Sequence, residues 1–192
     1  MSGIAVIILA AGSSSRLGKP KQLLTSGSTT LIRTACLTAI EAALGPVIVV
    51  VGSGAKPIAR ELRGLTVRTV VNDRWYEGMA SSIRSGIAKV PAACVACVIM
   101  TCDQPAVTSA HLRSLAAAAV ASDAGIAASH YAGTGGVPAC FSRDHFAQLL
   151  LLTGDHGAKA MIQRTAGTIL IDLPAGEQDV DRPADASGLD LH

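Results

Sequence analysis

From Ile4 the chain runs through six apolar residues, Ile4-Ala5-Val6-Ile7-Ile8-Leu9, and after Ala10-Ala11 breaks into Gly12-Ser13-Ser14-Ser15. A short, continuous apolar run bounded by small residues predicts a strand buried on both faces. Further runs predict strands over 47–52, 67–71, 94–100 and 168–172. Two more are expected over 125–129 and 137–141, separated by the Gly-rich turn Ala132-Gly133-Thr134-Gly135-Gly136. Between them, helices are predicted over 30–44, 55–62, 79–89, 109–121, 143–151 and 157–166. Such alternation implies an α/β fold: a mostly parallel, Rossmann-like sheet with helices on both faces. Right-handed crossovers would line the strand C-termini along one edge, where ligands bind. No repeat or linker interrupts the pattern, so a single domain over 1–192 is expected; only from Pro174 onward is apolar periodicity lost.

Composition narrows the class. Of 192 residues, 49% are hydrophobic but only 3% aromatic, so the expected core is aliphatic. A net charge of +2, with no basic run, argues against a nucleic-acid surface. No apolar stretch approaches the roughly 18 residues of a membrane span. The first apolar run has no charged lead-in, so no signal peptide is expected and the expected location is the cytoplasm. Five cysteines, an odd count, then suggest reduced thiols. Cys94-x-x-Cys97 looks like a redox or zinc motif. On a strand over 94–100, however, residues three apart face opposite sides, so both are expected to pack in the core.

Candidate chemistry gathers where predicted strands end. In the Gly/Ser loop after the first strand, small residues let backbone N–H groups approach an anion, and Arg16 and Lys21 add full charges. It is not a Walker A loop: five residues separate Gly12 from Gly18-Lys19, and Pro20 stands where a metal-binding hydroxyl would be. Nor is it G-x-G-x-x-G, since three serines follow Gly12. At the end of Val98-Ile99-Met100-Thr101-Cys102-Asp103-Gln104-Pro105, Asp103 is placed to hold Mg²⁺ or to cap the turn before Pro105. After Asn72 a loop leads to Gly78, which opens a helix with Met79, Ser81 and Ser82 in its first turn. That helix start offers donors to a base or ribose, although either serine could simply cap it. Asp179 and Asp181 share one face of an extended stretch and could complete a metal site or form a solvated tail.

Leu9-Ala10-Ala11-Gly12-Ser13-Ser14-Ser15-Arg16-Leu17-Gly18-Lys19-Pro20-Lys21-Gln22-Leu23-Leu24 resembles the signature of the MobA/MocA-like nucleotidyltransferases. These enzymes attach a nucleoside monophosphate to the pterin of the molybdenum cofactor. Asp103-Gln104-Pro105 is similar to the family's metal motif, and 72–83 to a segment lining its nucleotide site. Gly136-Val137-Pro138 with Gly154-Asp155-His156-Gly157 resembles its pterin-facing half, and 179–185 its acidic ending. Nearly the whole chain is covered. The resemblance implies the nucleotide-diphospho-sugar transferase type of fold. It implies nucleotide binding by Leu9, Ala10, Ala11, Gly12, Ser13, Ser14, Arg16 and Lys21, and by Asn72, Gly78, Met79, Ser81 and Ser82. Arg16, Lys21 and Asp103 would be catalytic, with Mg²⁺ on Asp103 and on Asp181 or Asp179.

On the acceptor side the resemblance implies Gly136, Pro138, Asp155, His156 and Lys159. Two departures, Val137 where many relatives have His and Lys159 where many have Arg, bear on the acceptor and leave the nucleotide chemistry intact. His156 by itself is as well read as a solvated or capping residue, and Asp155 as the cap of a helix starting near Gly157. Guanylyl-transferring relatives usually read Leu-Ala-Gly-Gly at the loop entrance, whereas this chain reads Leu9-Ala10-Ala11-Gly12. The extra methyl favours CTP over GTP. The expected reaction is transfer of CMP to molybdopterin, the product passing on to a target molybdoenzyme. Three alternatives stay open: a sugar- or alditol-phosphate acceptor, a relative turned to NAD(P)H redox chemistry such as the oxidoreductase acting on nicotine blue, and a non-catalytic pterin chaperone.

Overall fold

The computed structural model describes residues 3–13, 20–155 and 157–176. The chain forms β1 (Ile4–Ala10), a small hairpin of β2 (Thr25–Ser26) and β3 (Thr29–Thr30), then α1 (Leu31–Glu41), β4 (Val47–Val51) and α2 (Ala55–Glu61). Next come β5 (Arg68–Val71), α3 (Met79–Ile87), β6 (Ala96–Thr101), α4 (Ser109–Ala121), β7 (Ile126–Tyr131) and β8 (Thr134–Ser142). It closes with α5 (Phe146–Leu150), α6 (Lys159–Arg164) and β9 (Ile169–Asp172). Seven strands make one sheet in the order β5-β4-β1-β6-β8-β7-β9. Only β8 runs against its neighbours, so the sheet is mostly parallel.

β1 lies inside the sheet, which is why its sequence is continuously apolar. Its residues alternate between two cores. Val6, Ile8 and Ala10 pack with Ile32 and Cys36 of α1, Ile58 of α2 and Leu112 and Leu115 of α4. Ala5, Ile7 and Leu9 pack with Ile83 and Ile87 of α3, Phe146 and Leu149 of α5 and Ile162 of α6. Helices therefore cover both faces. α3 lies close on the sheet because Gly86 has no side chain: a Cβ there would stand 2.6 Å from Ile7 Cγ2.

Three local expectations change. The Gly-rich turn shrinks to Ala132 and Gly133, both at positive φ, the two-residue hairpin geometry that matches strand twist. Gly135 and Gly136 belong to β8, where a Cβ would meet Ile162 and the Tyr131 hydroxyl at 2.9 and 2.5 Å. The β2–β3 hairpin carries no apolar run and so gave no sequence signal. Cys94 precedes β6 rather than lying on it, and it shares one core cluster with Cys97. The opposite-face argument therefore fails, but both thiols are buried in the core as expected. Among the described residues, no helix is long and apolar enough to cross a membrane.

Candidate active site

β1 and β6 are neighbours with matched register, Leu9 opposite Thr101, so the loops leaving their C-terminal ends face one another. Between those loops and the start of α3 opens a cavity of about 610 Å³. Leu9, Ala11, Gly12 and Ser13 line it from β1; Thr101, Cys102, Asp103 and Gln104 from β6; Gly78, Met79 and Ser82 from α3; Asp155 closes one side.

Asp103 is 4% exposed. Its Oδ2 accepts from Lys21 Nζ in an ion pair, while its Oδ1 has no hydrogen-bond partner among the described residues. A buried, ionised oxygen without a donor is costly. Gln104 anchors the same turn: its Oε1 accepts from Thr101 Oγ1 at 3.1 Å, and its Nε2 donates to Val137 O at 3.0 Å. Val137 reaches the cavity because the β7–β8 pairing jumps from Ala128↔Ala139 to Ser129↔Gly136, leaving residues 137 and 138 unpaired. Beside Asp103, burial and then the carboxylate's charge push the Cys102 thiol far up.

Gln22 fastens the phosphate-type loop at its base. Its Nε2 donates to Ala10 O at 3.1 Å and Gly12 O at 2.9 Å. Gln22, Gln104, Trp75, Tyr76 and Tyr131 line the cavity and were not singled out beforehand. For the two glutamines the available signal was position, each adjoining a charged candidate residue. Trp75 fits beside β4 because Gly52 lacks a side chain; a Cβ there would stand 2.6 Å from Trp75 Cβ.

Not every expected residue reaches the cavity. Asn72 and Ser81 lie behind its wall: Asn72 Nδ2 donates to Ser81 Oγ at 2.8 Å and Ser82 Oγ at 3.1 Å. Ser81 Oγ is also within donating distance, 2.9 Å, of the carbonyls of Arg74 and Gly78. Ala10 is a core residue. Gly136 packs under Tyr131, and Pro138 directs its carbonyl to Ser129 Oγ at 2.7 Å. Because that hydroxyl donates to Pro138, His111 Nε2 must donate to Ser129 Oγ, 2.8 Å away. Lys159 is exposed outside the cavity. Asp155 does not cap α6, whose start has no side-chain cap; it sits against Gly78, where a Cβ would collide with Asp155 Oδ1. Ser14, Arg16, His156, Asp179 and Asp181 lie outside the described residues.

A profile of the MobA-like NTP transferase domain matches residues 6–169. The chain belongs to this family. It is similar to Rv0371c from Mycobacterium tuberculosis H37Rv, 30% identical with a TM-score of 0.83, over 96% of each chain. A structure of Rv0371c in complex with manganese matches at 29% identity and TM-score 0.75, over 88% of this chain and 89% of that one. The molybdopterin-guanine dinucleotide biosynthesis protein A of Archaeoglobus fulgidus, 13% identical over 95% of each chain with a TM-score of 0.66, shares the fold. Nicotine blue oxidoreductase of Paenarthrobacter nicotinovorans is 36% identical over 83 residues, 43% of this chain and 41% of that protein's length.

A divalent cation suits this MobA-like site. Magnesium is held by one or two carboxylates, with water and substrate phosphates filling its other positions. Asp103, with one oxygen unpartnered, meets that demand; among the described residues no cluster of three acidic, His or Cys side chains offers an all-protein cage.

Proposed function

We propose that this single-domain protein acts in the cytoplasm, transferring CMP from CTP to a terminal phosphate of molybdopterin with release of pyrophosphate. The observation that carries the reading is Asp103, buried with an unpartnered oxygen beside Lys21 and facing the loop of Leu9, Ala11, Gly12 and Ser13 across one cavity. The loop's backbone and Lys21 bind the triphosphate, and Gln22 holds the loop's ends in place. Ala11 is among the residues lining the cavity, and a side chain larger than glycine there favours a small base over a purine. Asp103 would hold Mg²⁺, with Asp181 or Asp179 as second carboxylate, and the charge neutralisation needed at the phosphate oxygens would be supplied there. Gly176 O lies 3.4 Å from Nε2 of Gln104, the residue that follows Asp103. An acceptor phosphate is already ionised at pH 7, so no side-chain base is needed; positioning and charge neutralisation lower the barrier.

The test is pyrophosphate release with molybdopterin as acceptor, comparing CTP, GTP and ATP in Mg²⁺. CTP is expected to lead; equal rates with CTP and GTP would discard the cytidylyl assignment. The partial identity to nicotine blue oxidoreductase supports a second reading, redox chemistry with NAD(P)H. NADPH raising the melting temperature, with no shift from any nucleoside triphosphate, would favour it.

A further inference from the structure

The ion pair between Lys21 and Asp103 does more than fill an empty pocket. We propose that Lys21 makes the Asp103 site selective for a cation that arrives complexed to its triphosphate, over the same cation free in solution. The inference rests on the reading of Asp103 as the cation's ligand.

The two side chains are unequally buried, 28% exposed for Lys21 and 6% for Asp103. Lys21 is the more accessible of the two to an incoming substrate, whereas Asp103 sits in the turn after β6 that Gln104 anchors. The ammonium holds one carboxylate oxygen, and the other is buried with no hydrogen-bond partner among the described residues. A free divalent ion approaching Asp103 meets a positive charge already at the carboxylate. It must either tolerate that like charge at close range in a partly dry site or displace it from its partner. The free ion offers the displaced ammonium nothing. A triphosphate complex brings anionic oxygens that take up the ammonium as the ion takes the carboxylate, so two charge pairs exchange rather than one being broken. The fraction of molecules with Asp103 open sets the apparent affinity for the ion alone, because a competent state of low population weakens apparent binding in proportion. Lys21 therefore couples the two halves of the substrate: the ion promotes nucleotide binding and the nucleotide promotes ion binding, by the same factor.

The experiment is titration of Mn²⁺ by its free-ion electron paramagnetic resonance signal, without nucleotide. It compares wild type, Lys21→Met, Lys21→Arg, Asp103→Asn and the Lys21→Met/Asp103→Asn double variant, each checked for native circular dichroism. Lys21→Met is expected to bind Mn²⁺ on the order of tenfold more tightly than wild type. Lys21→Arg, which keeps the charge, should bind as wild type does, and the double variant should lose the gain. If Lys21→Met binds no more tightly while Asp103→Asn weakens binding, the selectivity proposal is overturned and Asp103 remains the ligand. If Asp103→Asn changes nothing in either background, the reading of Asp103 itself fails. Should Lys21→Met not fold, wild type supplies the test: CTP must tighten Mn²⁺ binding beyond the affinity of CTP alone for the ion, and no such gain overturns the proposal.

Discussion

On the β6 side of the cavity Asp103 is buried with one carboxylate oxygen that no described donor reaches, whereas on the α3 side Asn72, Ser81 and Ser82 bond to one another and to backbone carbonyls. Both walls carry buried polar groups from segments that look alike in sequence: a strand end, then small and polar residues. The difference is in how those groups are satisfied. A buried polar atom whose partners are all internal shapes the wall; one left without a partner beside a cavity calls for a ligand to satisfy it. Asn72 also accepts from Arg74 N at 3.1 Å, which fixes the loop carrying Trp75 and Tyr76. The α3 wall is thus held in shape, and the β6 wall is set for binding.

The largest expected effect breaks the β6 side. Asp103→Asn should lower pyrophosphate release by at least about a thousandfold, several kcal/mol of transition-state stabilisation, with an unchanged circular dichroism spectrum. Wild-type turnover in that variant would remove Asp103 from the chemistry. On the α3 side the ranking should invert. Asn72→Ala removes the amide that donates to two buried serine oxygens and should cost about 1–3 kcal/mol in urea-unfolding free energy. Stability equal to wild type together with lost CTP binding would show that Asn72 touches nucleotide after all, and the contrast between the walls would collapse. Ala11→Gly removes one methyl at the base end and should shrink the CTP-over-GTP preference by on the order of tenfold, read from paired kcat/KM values.

The smallest effect near neutrality concerns the cysteines. Burial raises the thiols of Cys36 and Cys140 to about 12 and raises Cys94, Cys97 and Cys102 as well. The folded chain therefore holds protons that the unfolded chain releases above about pH 9. Stability should change little between pH 7 and 8, then fall as pH rises toward 12, which urea midpoints at pH 8 and 10 would reveal. His111, lowered by burial, acts at the other end: the unfolded chain binds its proton first, so stability should decline as pH drops below about 6.5. Slow alkylation of Cys102 at pH 8 would agree with a β6 wall that is closed apart from Asp103; rapid labelling would contradict it.

The seven strands of the sheet were foreseen near their observed places: the inner ones because a sheet covered on both faces demands continuous apolar runs, and the largely exposed edge strands β5 and β9 from shorter runs of β-branched and apolar residues. The β2–β3 hairpin escaped notice since two-residue strands of Thr and Ser bury too little to leave a pattern. α1 ends at Glu41, before the predicted 44, as Ala43 turns to a φ of 52° and reverses the chain. Asp103, Lys21 and Gly12 could be picked out from the sequence because a charged or glycine residue past a buried strand is conspicuous, whereas Ala11 was picked out only through the family resemblance. Gln22, Gln104 and Tyr131 could not, since an amide or a phenol beside a motif is ordinary until its partner is known. Those partners, Ala10, Gly12 and Val137, lie 6 to 33 residues away along the chain.

The sequence by itself determined the strand-and-helix alternation, the edge of the sheet at which the cavity opens and the family of the chain, all written in short-range patterns of apolar, glycine and charged residues. Tertiary structure alone decided that Lys21 meets Asp103 across 82 positions and that Asn72 turns inward to Ser81. It also decided that Val137 bulges from β8 to take up the Gln104 amide. A side chain's type is local, but whether its charge or hydrogen-bonding capacity is spent depends on neighbours that only packing brings near.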